Sequence, residues 1–214
     1  MKRRFATVVA AVAWLALILQ LVVSINLGIA RGFGWTYGVW MYVAFFTVLT
    51  NLLVALTLTI PLLAPSSRLG RFLANPASIT GATANIILVC ITYNVLLRHI
   101  WSPRGWQLIA DLLLHDAVPI LTVLFWWIAV PRASARWKDA AVWAIYPIVY
   151  FLYAMARGLA SGFYPYPFID VTRIGFGMVM LNAIGVLLAF FAILAALLAL
   201  KSSFRGAESP KTAG

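Results

Sequence analysis

Six continuous apolar stretches dominate this chain: Phe5–Ala30, Val39–Ala64, Ser78–Leu97, Gln107–Val130, Ala140–Gly162 and Met178–Leu200. A helix crossing a hydrocarbon core about 30 Å thick takes about 20 residues, and each run reaches that length. The runs are not alternating, so they predict helices rather than barrel strands. Only 10% of the 214 residues are charged and 64% are hydrophobic, against about 25% charged in an ordinary soluble domain. That scarcity excludes a soluble domain and a disordered chain, and the single cysteine, Cys90, excludes an intramolecular disulfide framework. The predicted fold is all-α, a polytopic membrane protein with six transmembrane helices. Residues 1–200 form one domain, and residues 201–214 are expected to be a disordered cytoplasmic tail.

The first run follows Lys2, Arg3 and Arg4, in the manner of a signal peptide. It is longer than the usual apolar segment of about 7–15 residues and reads as a retained helix. The net charge of +11 is distributed unevenly. Eleven of the 16 basic residues fall at the end of the bundle that carries the termini. The opposite end has Arg31, Arg98, Arg104 and Arg173, and Arg157 lies within the fifth run. This bias predicts cytoplasmic N- and C-termini and requires no nucleic-acid partner. The connections are too short for a further domain. The two halves show no matching broken helices, so an inverted-repeat transporter is not favoured.

Polar groups inside the spans are costly, about 2.5–3.5 kcal/mol for a charge at mid-helix. The fourth span holds Asp111, His115 and Asp116, with Asp111 and His115 four apart on one face. Pro119 removes the amide that would bond the His115 carbonyl, which predicts a kink. In the second span Thr47, Thr50 and Asn51 share a face. Thr47 is eight residues past Val39 and His115 eight past Gln107, so both lie about 12 Å below the same boundary if their helices run alike. In the fifth span Tyr146, Tyr150, Tyr153 and Arg157 form a stripe. Arg157 is placed to pair with Asp111 or Asp116, or to hold a ligand carboxylate bidentately; the tyrosines read as packing and cavity lining. The loop Phe163–Asp170, FYPYPFID, reads as an interfacial anchor, with a lid or lipid entrance as the alternative.

These elements together resemble the family of androgen-induced and androgen-dependent TFPI-regulating membrane proteins, through its bacterial branch. The matching segments are FFTVLTNLL (Phe45–Leu53), LLLHDAVP (Leu112–Pro119), YPIVYFLYAMARG (Tyr146–Gly158) and FYPYPF (Phe163–Phe168). The resemblance implies a multi-pass hydrolase of fatty acid esters of hydroxy fatty acids, in a bacterial inner membrane, with no cofactor. It places the nucleophile at Thr47 and the base at His115, with Thr50 as a competitor for the first role.

The chemistry is coherent without the resemblance. A threonine hydroxyl needs a base to become a nucleophile, and His115 can serve within about 3 Å. Asp111 or Asp116 can fix the imidazole tautomer, and Asp111 is preferred because it shares the His115 face. Asn51, one turn from Thr47, is assigned to the developing oxyanion, and Arg157 to a substrate carboxylate. The competing reading is a non-enzymatic binder or transporter of an amphipathic carboxylic acid, drawing on the same Asp, His and Arg groups. A b-type cytochrome would need His99 and His115, which sit at different depths, to meet one iron, and is disfavoured.

Overall fold

The computed structural model describes residues 2–203. Among them no strand occurs, and six helices are long and apolar enough to cross a membrane. The chain is an all-α polytopic membrane protein. The first crossing is α1 (Lys2–Ala30). The second region divides into α2 (Gly34–Tyr42) and α3 (Phe46–Leu63). A short helix, α4 (Arg68–Leu73), leads to α5 (Pro76–Thr92), which continues into a π-helical turn, Tyr93–Leu97. The fourth crossing is α6 (Trp106–Leu112), a second π-turn, Leu113–Ala117, and α7 (Val118–Ala129). The fifth comprises α8 (Trp137–Ala141), a 3₁₀ turn and α9 (Ile145–Ser161). The sixth is α10 (Val171–Ser203), bent at Gly175, where φ is 77°.

Small residues bring the crossings together. Ala6, Ala10, Ala13 and Ala16 on α1 are all buried and pack in one cluster with Val54, Ala55 and Leu58 of α3 and Val118 and Phe125 of α7. Between helices in a membrane such close packing takes the place of the hydrophobic drive. Both ends of the described chain meet at one end of the bundle. Lys2 Nζ donates to Ala129 O at 3.3 Å, and Lys201 Nζ donates to Trp127 O at 2.7 Å and Val130 O at 2.8 Å. Ammonium groups are favoured beside the carbonyls of a helix C-terminus and its cap.

Three expectations need correction. The sequence puts a tail at 201–214, but α10 runs on to Ser203 and Lys201 is buried against α7; the remaining tail residues lie outside the described ones. The sixth helix starts at Val171 rather than Met178, because the bend at Gly175 lets a first turn form before the apolar run. The run Val39–Ala64 is also not one helix. It breaks between Tyr42 and Phe46, with Phe45 extended at φ −90° and ψ 131°.

That break is held by the fifth crossing. Ending α2 leaves carbonyls without helical partners. Arg157 donates to Trp40 O at 2.7 Å, Tyr153 Oη to Val43 O at 3.2 Å and Tyr150 Oη to Ala44 O at 2.8 Å. Three residues of the stripe on α9 therefore satisfy three carbonyls around the break, and α3 begins anew at Phe46.

Candidate active site

Thr47 lies in the first turn of α3, and its Oγ1 is 3.2 Å from His115 Nε2. The two residues are 68 positions apart in sequence. On the other side of the imidazole, Nδ1 is 3.0 Å from the Asp111 carbonyl and 3.3 Å from Asp111 Oδ1. Both partners at Nδ1 are acceptors only, so the ring proton belongs there. Nε2 is then the acceptor that faces the threonine hydroxyl. Asp111 is 4% exposed, and its Oδ2 accepts from Tyr93 Oη at 2.5 Å. The Tyr93 ring also stacks on the imidazole, with centroids 3.7 Å apart and planes 13° from parallel. Tyr93 thus holds both the imidazole and the carboxylate, a contact that nothing in the sequence pattern marked.

The two π-turns explain how these groups meet. Each shifts its hydrogen bonds to a five-residue step: Arg98 N to Tyr93 O at 2.8 Å in one, and Val118 N to Leu113 O in the other. In the second turn the five-residue partner of Leu114 O would be residue 119, and Pro119 has no N–H. The freed carbonyl accepts from Asn51 Nδ2 at 3.2 Å. The same Asn51 amide donates to Thr47 O at 2.8 Å. Asn51 therefore ties the turn that bears Thr47 to the turn that bears His115.

Four assignments made from sequence change here. Asn51 spends both amide hydrogens on carbonyls, so it has none to offer an oxyanion. Thr50 is fully buried and bonds Tyr146 Oη at 3.2 Å, away from the imidazole. Asp116 pairs with Arg98 and accepts from Asn94 Nδ2 at 3.3 Å, while the carboxylate at Nδ1 is that of Asp111. Arg157 meets neither Asp111 nor Asp116. Its guanidinium carbon lies 3.4 Å from the Trp40 ring centroid while its nitrogens bond Trp40 O and Tyr153 Oη. Tyr150 lines a cavity and braces Ala44 O, whereas Tyr153 only braces, through Val43 O.

Two cavities adjoin the dyad. One, of about 400 Å³, sits among α5, α9 and α10 and is walled by Leu88, Val89, Ile148, Phe151, Ala183 and Leu187, with Thr47 at its inner edge. The other, of about 420 Å³, holds the polar groups Gln20, Ser24, Arg31, Gln107, Asp111 and His115. Thr47, Tyr93, Leu97 and Tyr166 border both. Ile148, Leu152 and Ile184 of the first wall are exposed on the outside of the bundle.

Comparisons with protein-family models, with curated proteins and with solved structures find no match to this chain.

Proposed function

We propose that this chain is an intramembrane hydrolase of lipid esters, with Thr47 as nucleophile and His115 as general base. The observation that carries the reading is the largely buried Thr47–His115–Asp111 chain of contacts, at 3.2 and 3.3 Å, where two mostly apolar cavities share walls and the second adds Gln20, Arg31 and Gln107. The order of roles is that of the serine hydrolases, with threonine in place of serine.

Thr47 Oγ1 attacks the ester carbonyl carbon while its proton passes to His115 Nε2. The carbonyl π pair moves onto oxygen. As the tetrahedral species collapses, the C–O bond to the alcohol breaks and the leaving oxygen takes the proton from Nε2. Water then attacks the acyl-threonine, giving its proton to Nε2, and collapse expels Thr47 Oγ1, which takes that proton back. The products are a carboxylic acid and an alcohol. Asp111 holds the imidazole and offsets its charge while it is protonated. The fatty acyl chain lies in the apolar cavity, reached from the bilayer past Ile148 and Ile184, and the alcohol portion lies on the Gln20–Arg31 side. In this reading the chain sits in a bacterial inner membrane, with the basic end that carries its termini in the cytoplasm and the site in the outer half.

A transporter or binder of an amphipathic acid draws on Asp116 and Arg157 as part of one polar path. Their engagement with Arg98 and with Trp40 O favours the hydrolase instead. The test is turnover by protein purified in detergent, measured on p-nitrophenyl esters from acetate to palmitate. Thr47→Ala abolishes release of p-nitrophenol if the reading is right. Equal turnover by native protein and Thr47→Ala, or flux of a fatty acid into proteoliposomes that survives Thr47→Ala, counts against it.

A further inference from the structure

Removing Asn51 from the oxyanion role leaves that role open. Ester cleavage through a tetrahedral species needs a donor aimed at the oxygen where charge develops. The geometry points to the Tyr166 hydroxyl as that donor; this rests on the hydrolase reading and extends it to the loop between the fifth and sixth crossings.

Tyr166 reaches the nucleophile from 119 residues away. Its Oη accepts from the Thr47 backbone N–H at 3.3 Å, in the first turn of α3. Using the oxygen as an acceptor leaves the phenolic proton to donate; the Thr47 and Tyr150 hydroxyls are its neighbours before an ester carbonyl enters, and accepting a bond polarises that O–H. The positive end of an 18-residue helix adds to the same field. Tyr166 is only 9% exposed, yet it borders both cavities, as does Thr47. Its hydroxyl is therefore beside the point where a carbonyl spanning the two cavities presents its oxygen. When Thr47 Oγ1 bonds to the carbonyl carbon and the π pair moves to oxygen, the Tyr166 O–H binds that oxygen; on collapse the pair returns and the hydrogen bond weakens.

The tyrosine is held rigidly enough for the role. Its ring stacks on Phe168 with centroids 5.2 Å apart and planes 8° from parallel, and meets Phe45 edge-on at 5.9 Å. Phe168 O accepts from Asn182 Nδ2 at 2.8 Å, which ties the loop to α10. At the start of the loop Tyr164 lies against Gly158, where any Cβ would run into the ring. The FYPYPF segment is thus built into the site, beyond a place at the interface.

The experiment measures the rate at which a long-chain alkyl fluorophosphonate labels the purified full-length protein. Phosphonylation replaces fluoride with Thr47 Oγ1 and sets a phosphoryl oxygen where the ester oxyanion forms, so its rate reads the donor without knowledge of the natural ester. Tyr166→Phe keeps the ring and removes the O–H. The expected result is labelling slowed by about 10²–10³-fold. A long-chain trifluoromethyl ketone, which forms a tetrahedral oxyanion adduct, should weaken in parallel, while the ether of the same length binds Tyr166→Phe as it binds native protein. Labelling of Tyr166→Phe within about threefold of native, against the loss a missing donor causes, overturns the proposal alone. Equal weakening of the ketone and the ether also overturns it, because the hydroxyl then only caps α3. If native protein is not labelled at Thr47 at all, the hydrolase reading fails, and this proposal falls with it.

Discussion

Asn51→Ala tests directly the link between the turn that bears Thr47 and the turn that bears His115. Leu114 O depends on Asn51 because the π-turn gives the Val118 N–H to Leu113 O, and Pro119 has none to give. Leaving that buried carbonyl unpaired costs about 1–3 kcal/mol, and the lost bond to Thr47 O adds about 0.5–1.5 kcal/mol. Polar contacts in membrane bundles average near the low end of such ranges, about 0.6 kcal/mol each, so the expected loss is roughly 1–2 kcal/mol. The assay is denaturant or thermal unfolding in detergent, followed by tryptophan fluorescence. A second substitution sharpens it. Pro119→Ala supplies an N–H at the five-residue step from Leu114 O, so it should cost stability or nothing in the native background and recover about 1 kcal/mol in Asn51→Ala. Additive effects of the two substitutions, or an Asn51→Ala protein within about 0.5 kcal/mol of native, would refute the account of the freed carbonyl.

Other consequences follow from the same contacts. Asp111→Asn keeps the size of the side chain but loses the charge that holds the Nδ1 proton, and turnover of p-nitrophenyl esters should fall about 10²–10⁴-fold with Thr47 intact; turnover within tenfold of native would count against the triad. Arg157→Met leaves Trp40 O unpaired and should lower unfolding stability by about 1–3 kcal/mol while changing KM equally for anionic and neutral esters. A KM rise confined to anionic esters would restore the carboxylate role to Arg157. Ala183→Phe fills the apolar cavity and should depress kcat/KM for palmitate esters while sparing acetate esters; a uniform loss across chain lengths would separate that cavity from acyl binding.

The six crossings were legible because length and continuous hydropathy suffice to define a spanning helix, whereas matched depth only permitted Thr47 to meet His115, since the count from Val39 runs through a helix that breaks before Thr47. The break at 43–45 was not. Val43, Ala44 and Phe45 include no proline or glycine, and the interruption exists because Tyr150, Tyr153 and Arg157, more than a hundred residues away, satisfy the opened backbone. The periodic stripe on the fifth crossing was visible, but its partners were carbonyls, which carry no signal in side-chain identity. Asn51 was misassigned for the same reason: its acceptor is a backbone oxygen freed by Pro119 on another helix. The proline itself was the available clue, since a missing N–H obliges some donor to come from elsewhere. The contacts of Tyr93 with His115 and Asp111 gave no sequence signal, because a buried tyrosine in an aromatic-rich membrane protein looks the same whether it packs or holds polar partners.

The central claim is that Thr47, activated by His115, is the residue that becomes acylated. Mapping the site of fluorophosphonate modification by mass spectrometry of the digested protein tests it most directly. The account predicts one adduct on Thr47, unchanged in Thr50→Val and lost in His115→Ala. An adduct on Thr50 or on any other residue, or one on Thr47 that forms as fast without His115, would contradict it.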